Sequence, residues 1–328
     1  MTMSAVMAMM AAIVICAAME LTPASATKAH ETLPQLAQHF AYDATPALDV
    51  EERGVRDRGG VKIHDIDYAS PLGGRVPAYL VVPAEKGKFA AILWGHWMMP
   101  NSPSANRGEF LEEAIILAQA GVVSLMIDAP QVRQGFKLDA DPLSSQAAEV
   151  TRQETVDLRR GLDVLLTRAD VDAKRVAYVG HSFGAIAGAI LDAVDKRPTA
   201  FVFMGNPVEV SDMLKSDLPQ IVAFRKAVGG EKIQEYLTKY AWTDPGTYAA
   251  YFGPSPAFFQ YATHDEFMTV PMEKHYFEMS TGPKEVQYYD ATHSLNAQAR
   301  RDRYDWLKKH IGLGELPAGA LEKMPETQ

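Results

Sequence analysis

Five residues, Gly180-His181-Ser182-Phe183-Gly184, constrain this chain more than any other stretch. Before them runs Arg175-Val176-Ala177-Tyr178-Val179, which reads as an apolar strand. After them, residues 183–194 carry Ala, Gly and Ile at helical spacing. A G-x-S-x-G pattern alone arises by chance. Between a strand and a helix it specifies a sharp turn that holds Ser182 in a strained backbone conformation, with its hydroxyl projecting from the sheet. Side chains at 180 and 184 would strike the neighbouring strand and helix, so glycine stands at both.

Around this turn, strand and helix patterns alternate. Strands are expected over residues 61–68, 76–82, 89–94, 122–127, 200–204, 257–261 and 285–289, and helices over 107–120, 144–168, 272–279 and 297–311. Alternation of this kind predicts an α/β fold: a mostly parallel sheet with helices on both faces. The first two strands, joined at Gly73-Gly74, are expected to pair antiparallel at one edge. Residues 27–60 read as a helix plus loops, and residues 313–328 as a fraying tail. Residues 206–254 interrupt the alternation and read as a small helical cap within one domain, 27–328. Its aromatics, Phe224, Tyr236, Tyr240, Trp242, Tyr248, Tyr251 and Phe252, either line a pocket or pack the insertion onto the core.

A serine hydroxyl needs a base, and the base needs a carboxylate to fix its tautomer. In a sheet built around such a turn, the partners follow the serine in the order acid, then histidine, each after a strand. His293 stands just past the last strand and is the expected base. His275 and His310 fall within predicted helices. Asp265 follows the preceding strand and is the expected acid, with Glu266 as the adjacent alternative. Asp290 lies too near His293 in sequence to serve it.

Acyl transfer also needs donors for an oxyanion. The expected ones are the backbone N–H groups of Phe183, directly after the serine, and of Trp97, past the strand ending in Trp94-Gly95; His96 is the alternative to Trp97. Trp97, Met98 and Met99 offer an apolar wall beside it.

Charge excludes some classes of partner. The formal charge is −9 and no long Lys/Arg run is present, which argues against nucleic acid or an anionic membrane surface. Residues 5–19 are apolar but too short for a comfortable bilayer span, and Pro23-Ala24-Ser25-Ala26 is a cleavage signal. A signal peptide over residues 1–26 is expected, with a periplasmic or secreted product and no stable membrane insertion after cleavage. No Lys or Arg precedes Lys28, which points to an atypical leader or an upstream start. Cys16, the single cysteine, falls inside that leader; the cleaved chain would hold no thiol nucleophile, disulfide or thiolate metal site. No metal-ligand cluster or nucleotide fingerprint stands out, so neither metal nor cofactor is expected.

These residues together resemble the dienelactone hydrolase-like branch of the α/β-hydrolase superfamily, especially its secreted bacterial serine esterases. The resemblance spans roughly residues 61–312. It rests on Gly95-His96, on Val171-Asp172 with Arg175 through Gly184, on His264-Asp265-Glu266 and on His293-Ser294-Leu295-Asn296. It implies hydrolysis of small-molecule carboxylic esters without a cofactor. Dienelactone hydrolase itself uses cysteine where this chain has Ser182, which favours a general esterase. The same triad also serves peptidases, amidases and thioesterases, and the fold also occurs in binding proteins without turnover.

Overall fold

The computed structural model describes residues 31–99 and 101–321. Residues 1–26, with the expected leader and Cys16, lie outside the described residues. Among those described, no helix is long and apolar enough to cross a membrane.

Nine strands form one sheet: β1 Glu51–Arg58, β2 Val61–Ala69, β3 Arg75–Val82, β4 Phe89–Gly95, β5 Val122–Ile127, β6 Val171–His181, β7 Ala200–Met204, β8 Ala257–Ala262 and β9 Lys284–Tyr289. Their spatial order is β1-β2-β3-β5-β4-β6-β7-β8-β9. The β1–β2, β2–β3 and β3–β5 pairs are antiparallel, and all pairs from β5–β4 to β8–β9 are parallel. The helices are α1 Leu33–Gln38, α2 Leu111–Ala118, α3 Ser145–Leu166, α4 Phe183–Val194, α5 Val210–Lys215, α6 Pro219–Val228, α7 Gly230–Lys239, α8 Val270–Met279 and α9 Ala297–Ile311.

The central parallel strands bury both faces. Along β4, Ala91 and Leu93 enter one core with α3 and α4, while Ala90, Ile92 and Trp94 enter another with α2 and α9. Val176 and Tyr178 on β6 join the first core, and Ala177 and Val179 the second. Each fully buried Leu, Val or Ile contributes about 1.5–3 kcal/mol, so the two-faced apolar runs are what fix the layers. The expected insertion folds as α5, α6 and α7, which share a third apolar cluster with Met268 and Met272. Four of its aromatics enter a core, Tyr248 and Phe252 the first and Phe224 and Tyr236 the third, while Tyr251 is exposed.

Two expectations fail. Residues 51–58, read as loop, form edge strand β1, whose residues are all exposed. It hides from pattern reading because Glu-Glu-Arg-Gly-Val-Arg-Asp-Arg has no alternation; it is held by the β2 ladder and by ion pairs such as Arg53–Asp67 and Lys62–Asp57. Charge along an edge also discourages pairing with other chains. The second failure is the tail. Leu313 and Leu321 are buried, and the Gly314 N–H donates to the Ala120 carbonyl at 2.8 Å. The tail, through residue 321, therefore packs on the α2–α9 face instead of fraying.

Glu154 on α3 is fully buried, and neither carboxyl oxygen has a hydrogen-bond partner among the described residues. Burial pushes its carboxyl up to about 8 from an ordinary 4.5. Between those values the folded protein keeps a proton that the unfolded chain has lost, so stability falls as pH rises through that window. Glu154→Gln removes this titration. Its Tm at pH 8 is expected to exceed that of the native protein by on the order of 5 °C, with a flatter stability profile in calorimetry. Parallel profiles for the two proteins would contradict this.

Candidate active site

The site stands at the carboxyl ends of four adjacent parallel strands. Ser182 follows β6, Gly205 follows β7, Asp265 follows β8 and His293 follows β9. Ser182 has φ 52° and ψ −110°, a strained conformation for any residue but glycine, and its N–H donates to the Met204 carbonyl at 2.8 Å. The turn is tight because Gly184 lies against β4: its N–H donates to the His96 carbonyl at 3.1 Å, and its carbonyl accepts Tyr178 Oη at 2.6 Å. A Cβ at Gly184 would collide with the backbone of Gly95, and one at Gly180 would come within 2.5 Å of the Gly184 carbonyl oxygen. Neither obstacle is a flexible side chain. Gly184→Ala is therefore expected to cost about 3 kcal/mol or more, on the order of 10 °C in Tm; an unchanged melting curve would show that the turn is looser than described.

Asp265 and His293 meet. His293 Nδ1 lies 2.6 Å from Asp265 Oδ2, and both side chains are buried. The other oxygen, Oδ1, accepts the N–H groups of Phe267 at 2.8 Å and Met268 at 3.1 Å. The carboxylate is thus held by three donors that fix which oxygen faces the ring. The Phe267 ring stands edge-on to the imidazole at 4.9 Å. Nε2 of His293 has no hydrogen-bond partner among the described residues. The ring passes over Gly205, where a Cβ would come within 2.9 Å of Cε1. Glycine at the end of β7 therefore lets a histidine from β9 extend its ring towards β6.

The neighbours separate by role. Glu266, the alternative acid, instead accepts the His293 N–H at 3.0 Å. His264 is exposed and pairs with Asp290 at 2.9 Å. His275 is exposed on α8 near Glu209 and Asp212. His96 is buried, with Nδ1 2.7 Å from the Trp97 carbonyl and Nε2 accepting the Ala129 N–H at 2.9 Å. Burial lowers its pKa to about 4, so it stays neutral at ordinary pH.

The Phe183 N–H opens α4, and a first-turn N–H has no acceptor within its own helix. It also stands at a helix N-terminus, where the dipole favours negative charge. The Trp97 N–H, the other expected oxyanion donor, is already engaged. It donates to Glu109 Oε2 at 2.6 Å, so a carboxylate already occupies it. Glu109 is the residue that sequence reasoning missed. It lies 72 positions from its second partner, His181, and no periodicity or motif marks it.

A cavity of about 310 Å³ lies beside Met98, which follows β4, Gln131, Phe136 and Leu138, which follow β5, and Val150 on α3. Both polar atoms of the Gln131 side chain are buried without a partner among the described residues.

No protein-family profile and no curated protein matches the sequence. Solved structures do match. An acetyl xylan esterase from Paenibacillus sp. R4 aligns with TM-score 0.70 at 18% identity, over 95% of this chain and 100% of its own. Acetyl xylan esterase 1 from Thermoanaerobacterium sp. JW/SL YS485 aligns with TM-score 0.68 at 13% identity, over 95% and 98%. A cold-adapted esterase from an Arctic intertidal metagenomic library gives TM-score 0.53 at 14% identity, over 83% and 99%. At such identities the likeness speaks for architecture, and with the mixed nine-stranded sheet and the strand–serine–helix turn it identifies the fold of this chain as that of the α/β-hydrolases.

Proposed function

We propose that this protein hydrolyses carboxylic esters of small molecules through an acyl-enzyme on Ser182, with His293 as general base and Asp265 as the carboxylate behind it. One observation carries the reading: a buried Asp265–His293 pair whose Nε2 is left unengaged, on a histidine whose carbonyl oxygen lies 2.9 Å from Nε2 of His181, the residue before the strained Ser182. Ser182 Oγ attacks the ester carbonyl carbon while His293 Nε2 takes its proton. The Phe183 N–H receives the charge that develops on the carbonyl oxygen. The imidazolium, held by Asp265, passes the proton to the leaving alcohol, and water then releases the acyl group by the same route. This chemistry requires no metal or cofactor.

The cavity beside Met98 opens where β4 and β5 end, and β4 is the direct neighbour of β6. Its mainly apolar lining suits a hydrocarbon part of the acyl or alcohol group. The esterases of like fold support the same reaction class. Export to the periplasm or beyond rests on the apolar run at 5–19 and on Pro23-Ala24-Ser25-Ala26.

Steady-state rates on 4-nitrophenyl acetate, butyrate and hexanoate, set against 4-nitroacetanilide, test the reaction class. The expected result is ready turnover of the esters with kcat/KM far above that of the anilide. An anilide cleaved as fast as the acetate, or folded protein that turns over none of the esters, would overturn it.

A further inference from the structure

His181 is fully buried, and both of its ring nitrogens meet oxygen. Nε2 lies 2.9 Å from the backbone carbonyl oxygen of His293, and Nδ1 lies 2.5 Å from Glu109 Oε1. A carbonyl oxygen can only accept, so Nε2 carries a proton. An approach of 2.5 Å between Nδ1 and a carboxyl oxygen places a second proton between those two atoms. The other Glu109 oxygen accepts the Trp97 N–H at 2.6 Å. A carboxylate accepting two such donors is favoured as the anion, so the second proton belongs to Nδ1. The ring is stacked between the Trp97 indole at 5.0 Å and the His293 imidazole at 5.2 Å.

We propose that Glu109 and His181 form a buried carboxylate–imidazolium brace that positions His293 and ties three loops of the site together. The brace joins the loop after β4, through the Trp97 N–H, to the serine turn, through His181, and to the loop after β9, through the His293 carbonyl. His293 is then fixed at three points: its N–H by Glu266, its carbonyl by His181 and its ring by Asp265. His181 has no lone pair to offer and cannot act as a second base. The titratable groups facing it are Glu109, from the segment before α2, and His293; Trp97, Met204 and Gly205, which also adjoin it, do not titrate. Glu109 and His181 are positioning residues, and the effect on rate rests on the ester-hydrolase reading, whereas the charge state does not.

The charge state is read first, on the native protein labelled with ¹⁵N-histidine. Long-range ¹H–¹⁵N spectra in the neutral assay buffer are expected to show one histidine with both ring nitrogens protonated, and that signal is expected to vanish in His181→Gln. In Glu109→Gln, which retains an acceptor but removes the charge, kcat is expected to fall about 10- to 100-fold with KM within about 3-fold of native. Native protein with no doubly protonated histidine in that buffer overturns the brace. So does folded Glu109→Gln with native kcat. Loss of one partner of a buried pair strands the other; if the Glu109 variant does not fold, the native spectrum alone decides. Failure of native protein to cleave any ester would sink the functional reading, and the spectrum would still decide the brace.

Discussion

Ser182→Ala is expected to lower kcat for ester hydrolysis about 10⁵- to 10⁶-fold while leaving the fold and its Tm essentially unchanged. Serine at this position is 3% exposed and sits at φ 52°, so its backbone is held by the surrounding turn and not by its own side chain. The Ser182 N–H bond to Met204 and the Gly184 bonds to His96 and Tyr178 use no atom of the hydroxyl. Alanine fits the same space. What vanishes is the bond-forming oxygen. A residual rate above water is expected to survive, because donors such as the Phe183 N–H remain. A folded Ser182→Ala protein that retains native turnover would remove the acyl-enzyme scheme altogether.

Asp265→Asn should cost about 10⁴-fold in kcat, and the reason can be read from its hydrogen bonds. Oδ1 accepts two backbone N–H groups, from Phe267 and Met268. In asparagine, the amide oxygen must stay at that position, since an NH₂ there would face two donors. The amide nitrogen is then forced towards His293, where Oδ2 lay 2.6 Å from Nδ1. Nδ1 must accept, so the ring proton moves to Nε2, the atom that has to take the proton from serine. The variant keeps its shape and loses its base. A kcat within about tenfold of native in folded Asp265→Asn would mean that His293 does not work through Asp265.

How far the site could be read from the sequence follows from where its residues stand. Ser182 and Asp265 each follow an apolar strand buried on both faces, and His293 follows edge strand β9, whose Lys-Glu-Val-Gln-Tyr-Tyr is only half-buried. The glycines at 180 and 184 are legible because a close crossing of strand and helix leaves no room for a side chain. Edge strand β1 is not legible, because an exposed ladder of Glu, Arg and Asp has no buried face to impose alternation. The packed tail depends on two leucines, Leu313 and Leu321, too few for a period. Glu109 is invisible for another reason. Its two partners, Trp97 and His181, come from different loops, and nothing local requires a carboxylate at that position. The same contact explains why the Trp97 N–H, picked by its place after β4, is occupied.

Whether Ser182 is an activated nucleophile is tested most directly by intact-mass analysis after exposure to a fluorophosphonate, on native protein and on Ser182→Ala. A single adduct on the native protein and none on the variant is the expected result. A folded native protein that stays unlabelled, or a variant that is labelled equally, would contradict it.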